Sequence, residues 1–589
     1  MNGMGLSSRL RLAVVTAVVS GFAEGLVRLV TRHFPGLHAA HKLSVDVLWV
    51  APLVNVVFFC ALAVGLHILF RFVPGSVRRR DRALSRGAFV ALGAIGVGLA
   101  TAVLHPASVV VLGLGAGVLA ARRTPADTGP GGGRGLVAAA GLVGVGVLVA
   151  ALSGPVGERA RRGALGAVPA GEPPNVLVLM LDTVRRDELL GDVGARIAPR
   201  LTAFAREGVR FEDAWSTTSW SLPSQASVLT GVPAAEHEAD WPGFALTTRV
   251  PSLAERFVAR GYATAAFSGN SSWVTPEYLG RGFLRFRAYV LEDLLRRTSL
   301  GKWGDGLTRA LSFYGAGRGK KAPALHRQFW DFVGDYEDRP FFAYICYMDA
   351  NQAAYARKFN HYFRRRAPNP EVHEAYRDGI RVLDGQIGEL LDELERRDLS
   401  RSTIVVVLSD HGESFGPEVR EDHLPVGHGT HLYPEQTRVP MFVVARGRLE
   451  PATVREPVSI DRVPATLGAL LEWTEDVDGQ PLPLASAEPA GAGGEGAGSG
   501  DTGAESAERP ATGTATPVDD APATWMTLRY LDRDLRAIAV PGWQYIVDGN
   551  EDGSGELVPL GDPPGTAAAA LGERLARRLA RRFPSGDPD

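Results

Sequence analysis

The sequence is poor in cysteine, with only Cys60 and Cys346 among 589 residues. One lies inside a long apolar run and the other in a strand-like segment, so neither a disulfide framework nor a cysteine-based metal site is available.

A basic excess is also missing, because 63 Lys and Arg stand against 65 Asp and Glu. Up to Gly171 there are 17 basic and 5 acidic residues, which leaves 46 basic and 60 acidic residues for the remainder. This acidic surplus argues against nucleic acid as a partner of the larger part, since phosphate-binding domains usually carry a basic face.

Long apolar runs are confined to the first part of the chain. The five runs are Leu12–Val30, Val47–Phe70, Ala88–Leu104, Ala107–Ala121 and Leu136–Leu152. Because a membrane-spanning helix needs about 20 apolar residues, we predict about five transmembrane helices within residues 1–154. The arginine-rich loops after the second and fourth runs should stay cytoplasmic under the positive-inside rule. We therefore expect a multi-pass protein of the cell membrane, in contact with the lipid bilayer, in which the larger part of the chain after the fifth run is extracytoplasmic.

One pair of opposite charges interrupts the first apolar run. Glu24 and Arg28 are four positions apart and share a face of a helix, so they are able to pair. Two interpretations are open: a contact to lipid or substrate within the membrane, or a self-neutralised pair near an interface.

Beyond residue 174 the pattern changes to strands alternating with helices. Two buried strand patterns end in polar residues: "NVLVLMLD" ends at Asp182, and "TIVVVLSDHG" contains Asp410 and His411. Such alternation predicts an α/β fold with a mainly parallel sheet flanked by helices. Since ligand sites lie at the carboxyl ends of parallel strands, we expect these three side chains to meet at one edge of the sheet. Adjacent carboxylate and imidazole groups are suitable ligands for a divalent ion.

A histidine-rich stretch follows the second of these strands. The segment "EDHLPVGHGTHLYPEQTRVP" contains His423, His428 and His431. Three histidines in a glycine-containing loop, just after an Asp–His pair at a strand end, indicate a functional site more than a set of surface residues.

Taken together, these motifs resemble the sulfatase family of the alkaline phosphatase superfamily. The resemblance runs from Asn175 to about Gly479 and includes "VLMLDTVRRD", "SWSLPSQASVLTG", "ARGYATAAFSGN", "RPFFAYICYMDA", "VVVLSDHGESFG" and "GHGTHLYPEQTRVPMFV". It implies an alkaline-phosphatase-like fold and one divalent metal ion, Ca, Mg, Mn or Zn, bound by three residues. Those ligands are Asp182, Asp410 and His411.

The same resemblance implies the catalytic residues. Ser221 occupies the nucleophile position of the family's Cys/Ser-x-Pro-Ser-Arg motif. His428, or as an alternative His431, falls where the family places a cation near the ester or leaving group. A serine hydroxyl is a weak nucleophile at its own pKa, and metal coordination is one way to activate it.

Several positions depart from the family pattern. Gln225 stands where the signal for conversion of Cys or Ser to formylglycine has Arg, so formylglycine at Ser221 stays an open alternative to an unmodified serine. Thr183 stands where many sulfatases have a second metal-binding Asp, and Asn351 stands about where relatives have His. We assign Gln225, Asn270, Asn351 and His431 to substrate binding. For Asn270, beside Gly and Ser, a turn residue is the alternative.

The predicted function is hydrolysis of a sulfate or phosphate ester with Ser221 as the nucleophile. Two alternatives are kept. The first is a transferase that moves a phospho-head-group onto an envelope glycan or lipid. It is suggested by the five predicted spans joined to this fold, an arrangement that resembles lipoteichoic acid synthases. The second is a catalytically decayed envelope binding protein, which the replacements at Gln225 and Asn351 suggest.

The predicted organisation has five parts. They are a membrane domain (1–154), a linker (155–174), a sulfatase-like catalytic domain (175–484), a disordered low-complexity insert (485–524) and a C-terminal subdomain with a basic helix (525–589). The insert is rich in Ala, Gly, Ser, Pro and Glu, and its only large apolar residue is Val518, so it offers no set of residues that could form a core. The strand-like pieces after it predict a small antiparallel subdomain.

Overall fold

The structure is a computed structural model of the 589-residue chain. It describes residues 4–31, 45–78, 80–101, 106–123, 132–153, 155–163, 165–168, 171–240, 244, 246–290, 294–295, 298–300, 320–354, 370–415, 427–473, 477, 479–484, 488–489, 523–530, 533–548, 555–560 and 568–582. Most of the predicted low-complexity insert and His423 therefore lie outside the described residues.

The chain divides into two compact units. The first unit consists of Met1–Ala164 together with Tyr289–Gly319. The second consists of Leu165–Ala288 and Lys320–Asp589. The stretch Tyr289–Gly319, called here the inserted segment, interrupts the sequence of the catalytic domain but belongs by its contacts to the first unit. The hydropathy pattern of the sequence did not predict that the inserted segment belongs to the first unit.

The first unit is helical. Its helices are α1 (Leu6–Thr31), α2 (Val47–Phe72), α3 (Gly75–Arg78), α4 (Asp81–Thr101), α5 (Pro106–Arg122), α6 (Gly132–Ser153) and α7 (Pro155–Gly163). Five of them, α1, α2, α4, α5 and α6, correspond to the five apolar runs. Among the described residues, three stretches are long and apolar enough to cross a membrane: Leu6–Val30, Val47–Phe72 and Asp81–Leu99. The apolar parts of α5 and α6 are shorter, Ser108–Arg122 and Val137–Val149. The number of spans and their orientation stay predictions.

The Glu24–Arg28 pair of α1 is buried inside the first unit and binds the inserted segment. Arg28 Nε donates to Glu24 Oε1 at 3.1 Å. The backbone N–H of Ser299 donates to the same oxygen at 2.5 Å, and Arg28 Nη2 donates to Ser299 Oγ at 2.8 Å. Ser299 Oγ in turn donates to the carbonyl of Gly96 in α4 at 2.8 Å. The pair is thus neither isolated nor exposed to lipid, and its partner is the chain itself.

Apolar contacts accompany this polar contact. Leu300 is buried in a cluster that includes Phe59 and Phe89, and Leu294 and Leu295 pack against the same cluster. The two phenylalanine rings stack with centroids 5.9 Å apart. The described part of the inserted segment is therefore held by both hydrogen bonds and burial of leucine side chains.

The second unit contains a ten-stranded, mostly parallel sheet. Its strands are β1 (Asn175–Leu181), β2 (Val209–Trp215), β3 (Ala263–Ser268), β4 (Arg285–Arg287), β5 (Phe341–Tyr347), β6 (Thr403–Ser409), β7 (Arg438–Val444), β8 (Ala452–Val454), β9 (Val458–Ser459) and β10 (Glu488–Pro489). The strand order is β10-β8-β2-β7-β6-β1-β5-β3-β4, with β9 beside β2. Strands β6, β1, β5, β3 and β4 run parallel, whereas β7 is antiparallel to both of its neighbours.

Helices flank this sheet, which confirms the predicted fold class. They are α8 (Arg186–Leu189), α9 (Asp192–Ile197), α10 (Pro199–Ala205), α11 (Ser221–Thr230), α12 (Ala234–His237), α13 (Leu253–Ala259), α14 (Pro276–Leu279), α15 (Ala322–Asp335), α16 (Pro370–Arg396), α17 (Pro434–Thr437) and α18 (Val463–Leu470). A 3₁₀ turn, Ile460–Arg462, precedes α18.

Strand β1 is buried on both faces, as the uninterrupted apolar run "NVLVLML" predicts. Successive side chains point to opposite faces of a strand. Val176, Val178 and Met180 accordingly belong to the core on one side of the sheet. Leu177, Leu179 and Leu181 belong to the core on the other side.

The end of the chain forms the predicted antiparallel subdomain. Strands β11 (Thr524–Tyr530), β12 (Arg533–Val540), β13 (Trp543–Asp548) and β14 (Gly555–Pro559) pair in that order. The basic helix α19 (Ala568–Arg582) packs on this sheet through Leu571, Leu575 and Leu579. Its apolar face is therefore used for docking on the subdomain.

Candidate active site

The site begins where β1 and β6 end side by side. Leu181 is the register partner of Ser409 across the two parallel strands. The next residues, Asp182 and Asp410, therefore leave the sheet at the same edge, as the strand-end argument predicts. The backbone N–H of Asp182 still donates to the carbonyl of Tyr347 in β5 at 2.9 Å, so the hydrogen-bond ladder between β1 and β5 continues up to the site.

The turn after Asp182 has an unusual backbone. Thr183 has φ of 64°, a left-handed conformation that is costly for a β-branched residue. This turn aims the backbone N–H of Thr183 at Asp410 Oδ1, 3.2 Å away. The next N–H, of Val184, donates to Ser409 Oγ at 2.9 Å. The strained turn thus ties the ends of β1 and β6 together.

Ser221 lies at the first position of α11, directly against the strand ends. Its Oγ donates to Asp182 Oδ2 at 3.3 Å and lies 3.1 Å from His411 Nε2. The side chain is buried. A helix amino terminus favours negative charge because its first N–H groups have no partners within the helix. Ser221 is therefore placed where an anionic oxygen is stabilised.

The imidazole of His411 is held in one tautomer. Its Nδ1 lies 2.9 Å from the carbonyl of Gly412, so Nδ1 carries the hydrogen and donates it. The other nitrogen, Nε2, is then unprotonated and presents a lone pair on the side of Ser221. Burial lowers the pKa of His411, and this outweighs the opposite effect of the Asp410 charge. A neutral imidazole with a free lone pair is the form that binds metal ions.

Three residues of this edge have the donor set for a divalent metal ion. One ligand atom from each of Asp182, Asp410 and His411 lies within 4.8 Å of the other two. Burial, together with the charge of Asp410, raises the pKa of Asp182 well above its usual range. Two carboxylates buried next to each other without a cation repel, and a bound cation relieves both the repulsion and the cost of burial. The residues present therefore fit the metal that the sequence predicts.

Two of the predicted substrate-binding residues donate to Asp182. Asn270 Nδ2 lies 2.9 Å from Asp182 Oδ2 and 3.4 Å from Ser221 Oγ. Its own Oδ1 accepts the backbone N–H of Trp273 at 3.0 Å, so Asn270 also holds a turn, and its assignment to substrate binding stays a prediction. Asn351 Nδ2 donates to Asp182 Oδ1 at 3.2 Å.

Gln225 lies one turn into α11 and is fully buried. Its Nε2 donates to Asp410 Oδ2 at 2.7 Å, and its Oε1 accepts the hydroxyl of Tyr344 at 2.9 Å. Nε2 also lies 3.5 Å from Cys346 Sγ. These contacts make Gln225 a residue that orients Asp410.

The two candidate histidines of the loop lie in different surroundings. The ring of His428 lies 4.5 Å from that of His411, centroid to centroid, and its side chain is 29% exposed. His431 is buried, with Nε2 3.1 Å from Ser414 Oγ and Nδ1 accepting the N–H of Tyr433. Of the two, His428 is the one that reaches the metal-ligand cluster.

Sequence reasoning missed Glu413. This carboxylate is buried, and its Oε2 lies 3.1 Å from His428 Nδ1. Glu413 follows His411 by two positions in the string "DHGES". An acidic residue so close to two ligands was a signal of a site, but its partner His428 is 15 positions further along the chain, and only the fold brings the two together.

Comparison with known proteins identifies related sequences. A model of the Sulfatase family matches residues 174–473, more than half of the chain. N-acetylgalactosamine-6-sulfatase of Canis lupus familiaris is 24% identical over 52% of this chain and 62% of its own length. The ulvan-active sulfatase of Formosa agariphila is 25% identical over 52% of this chain and 64% of its own length. The chain thus spans less than two thirds of these relatives.

Solved structures are similar at lower sequence identity. A phosphonate monoester hydrolase from Silicibacter pomeroyi is 18% identical, with a TM-score of 0.48, and the match covers 69% of this chain and 95% of that one. A second solved structure, that of BT4656 in complex with its substrate D-glucosamine-2-N,6-O-disulfate, is 14% identical with a TM-score of 0.48, and the match covers 71% of this chain and 99% of that one.

Proposed function

Because this chain belongs to the sulfatase family, we propose that it is a membrane-anchored hydrolase of sulfate or phosphate esters with Ser221 as the nucleophile. The observation that carries the proposal is the position of Ser221 Oγ, 3.3 Å from Asp182 Oδ2 and 3.1 Å from His411 Nε2. A serine lying against two of three candidate metal ligands is placed for attack on an ester bound at the same point. The three apolar helices of the first unit support the membrane anchor.

Asp182, Asp410 and His411 would hold the metal ion. A divalent ion bound there would lower the pKa of the Ser221 hydroxyl and neutralise the non-bridging oxygens of the ester. Around it, the chain orients the nucleophile. Asn270 donates to Ser221 Oγ and to Asp182, so it holds both the attacking oxygen and the carboxylate beside it.

The reaction proceeds in two displacements. Ser221 Oγ forms a bond to sulfur or phosphorus while its proton passes to Asp182 Oδ2, which already accepts it in a hydrogen bond, and the bond to the ester oxygen breaks. His428 supplies the proton to the departing oxygen, with its Nδ1 held by the buried Glu413. Water then attacks the serine ester and gives one proton to His428, the bond from sulfur or phosphorus to Ser221 Oγ breaks, and Asp182 returns its proton to Ser221 Oγ. Hydrogen sulfate or the corresponding phosphate is released. In this sequence of steps the unmodified serine suffices, and Gln225 serves to orient Asp410.

The test is hydrolysis of an aryl sulfate and a bis-aryl phosphate by the full-length protein, with Ser221→Ala as control. Turnover is expected to fall by several orders of magnitude in the variant, as for other nucleophile deletions. The mass of the Ser221 peptide separates the two forms of the nucleophile, since formylglycine is about two hydrogens lighter than serine. Absence of turnover on both substrates, with metal still bound, would contradict the proposal and favour a binding protein.

A second candidate is transfer to a membrane-borne alcohol. The observation that favours it is the first unit, in which the inserted segment of the catalytic sequence is bound among apolar helices. The two candidates differ only in whether water or an alcohol attacks the serine ester. Product analysis in lipid vesicles distinguishes them: a lipid-linked or glycan-linked ester would support transfer, and free sulfate or phosphate would support hydrolysis.

A further inference from the structure

The turn that follows Asp182 is strained, so other parts of the chain must hold it in place. Thr183 has a φ of 64°, and a β-branched residue adopts this left-handed conformation only where the surrounding structure imposes it. The turn matters to the site because it points the N–H of Thr183 at Asp410 Oδ1, 3.2 Å away. The contacts that impose the turn therefore help to shape the metal-ligand cluster.

One side chain from a distant helix bridges this turn. The hydroxyl of Tyr376 in α16 donates to the carbonyl of Thr183 at 2.9 Å and accepts the backbone N–H of Arg185 at 2.8 Å. A single oxygen thus binds the backbone groups on either side of Val184, because a phenol is both a donor and an acceptor. Tyr376 is fully buried, and burial raises the pKa of its phenol well above the ordinary value, so the hydroxyl keeps the proton that it donates.

The face of α16 that carries Tyr376 is attached to the helix after the turn. On that face, Arg377 Nε and Nη2 donate to the two carboxylate oxygens of Glu188 at 2.8 and 2.9 Å. His373 Nε2 donates to Glu188 Oε1 at 2.6 Å. Glu188 is buried in α8, which begins directly after Arg185. This attachment keeps the Tyr376 hydroxyl within reach of both of its backbone partners.

The same face of α16 contacts the chain after the second ligand-bearing strand. The ring of His373 stacks on that of Phe415, with centroids 4.5 Å apart and an angle of 7° between the planes. The ring of Tyr376 lies 4.7 Å from that of Phe415. Phe415 follows His411 by four positions. Helix α16 therefore packs on the segments that follow both β1 and β6.

From these contacts we propose that Tyr376 is a positioning residue for the metal site. Its hydroxyl holds the strained Thr183 turn closed, and the closed turn keeps Asp182 and Asp410 in the arrangement that a divalent ion requires. Tyr376 acts through the backbone of the turn. The inference rests on the proposed function, because the role that it assigns is directed at the metal ion of that site.

Loss of the hydroxyl would release the turn. The Thr183 carbonyl and the Arg185 N–H lose this partner, and the turn relaxes toward a negative φ, the conformation that threonine favours. The N–H of Thr183 then leaves Asp410 Oδ1, so this carboxylate loses a donor that orients it. Loss of a group that orients a metal ligand typically lowers metal affinity by about 10–100-fold.

Titration of the chelator-treated, full-length protein with Mn²⁺ tests the inference without turnover. Tyr376→Phe keeps the aromatic ring and removes only the hydroxyl, and it is expected to bind Mn²⁺ about 10–100-fold more weakly than wild type. Tyr262→Phe is the matched control. The buried hydroxyl of Tyr262 donates to the carbonyl of Pro174 at 3.1 Å, just before the opposite end of β1. That variant loses a comparable hydrogen bond and should keep the affinity of wild type.

A change in the turn itself tests whether Tyr376 acts through it. Glycine adopts a φ of 64° without strain, so Thr183→Gly removes the reason for the turn to relax. In that background Tyr376→Phe should weaken Mn²⁺ binding by less than about threefold, because two changes at one turn are not additive. Equal losses of affinity in both backgrounds would overturn the inference. Arg377→Gln weakens the attachment of α16 at Glu188 and should lower Mn²⁺ affinity in the same direction, which provides a second variant if Tyr376→Phe does not fold.

Unchanged Mn²⁺ affinity in Tyr376→Phe would also overturn the inference, and a lower melting temperature with unchanged affinity would identify Tyr376 as a core residue only. These outcomes are separate from failure of the proposed function. Ester turnover that depends on Ser221, with unchanged Mn²⁺ affinity in Tyr376→Phe, would remove the inference and keep the hydrolase. Mn²⁺ binding that depends on Tyr376 in a protein without turnover would do the reverse.

Discussion

The backbone N–H of Ser299 donates to Glu24 Oε1 at 2.5 Å, although the two residues are 275 positions apart in the chain. Ser299 comes from the segment that interrupts the catalytic domain, and Glu24 lies in the first apolar helix. Arg28 completes the contact by donating to both Glu24 and Ser299 Oγ. A charged pair that sequence alone assigns to lipid, to substrate or to itself therefore has a defined protein partner.

Loss of Glu24 is predicted to destabilise the first unit. Glu24→Ala leaves Arg28 buried without its carboxylate, and breaking a buried ion pair in this way typically costs about 3–5 kcal/mol. Ser299→Ala removes only the hydroxyl and keeps the N–H bond to Glu24, so the expected cost is about 1 kcal/mol. Thermal unfolding in detergent measures both. Equal melting temperatures for wild type and Glu24→Ala would show that the contact contributes nothing.

Removal of the Glu413 carboxylate is predicted to slow catalysis according to the leaving group. Glu413 accepts from His428 Nδ1 and so positions the residue that protonates the departing oxygen. Glu413→Gln should slow hydrolysis of alkyl esters, whose leaving groups need a proton, by about 10²–10⁴-fold. Nitrophenyl esters, which leave without one, should be affected much less.

The comparison with His428→Ala identifies the cause of that loss. If Glu413 acts through His428, the double variant should be no slower than His428→Ala alone, because the two residues act as a unit. A uniform loss for both kinds of leaving group would instead indicate a structural role for Glu413.

Gln225 is predicted to control metal affinity. Gln225→Met keeps the side-chain length but removes the bond to Asp410, and loss of a group that orients a metal ligand typically costs about 10–100-fold in affinity. Tyr344→Phe removes only the bond to the Gln225 oxygen and should cost less. Titration of chelator-treated protein with Mn²⁺ measures both variants. Unchanged affinity in Gln225→Met would contradict the role assigned to this residue.

His237 is predicted to make stability depend on pH. It is buried behind α11, where its Nε2 donates to the carbonyl of Pro223 at 3.0 Å and its Nδ1 accepts the N–H of Ala239 at 3.0 Å. Burial lowers the pKa of His237 from 6.5 to about 4. The folded protein thus keeps the ring neutral, while the unfolded chain takes up a proton below about pH 6.5.

The direction of the pH dependence follows from this difference in proton binding between the folded and unfolded protein. The stabilising contribution is complete above pH 6.5 and is lost as the pH falls from 6.5 toward 4, by up to about 1.4 kcal/mol per pH unit. His237→Gln removes the titrating group and should therefore lose less stability than wild type between pH 7.5 and pH 5.5. Melting temperatures at the two pH values provide the measurement. Equal losses of stability in wild type and His237→Gln would show that His237 is not the cause of the pH dependence.

Much of the site could be predicted because its ligands follow strands with a strong pattern. The apolar runs before Asp182 and before Asp410 are seven-residue buried strands, as expected. Parallel strands end at one edge of a sheet, so the residues after them meet whatever the length of chain between them. The position of Ser221 came from the family resemblance, since a serine before "LPSQ" has no periodic pattern of its own.

By itself, the sequence determined which stretches are apolar, which are strands and helices, and which strand ends carry acidic residues, because periodicity records whether a side chain is buried. Only the tertiary structure decided the partners of buried polar groups: Gln225 with Asp410, Glu413 with His428, and Ser299 with Glu24. These pairs join residues that are distant in the chain or in different elements. The physical reason is that a hydrogen bond depends on the distance and angle between two atoms, and hydropathy carries information about neither.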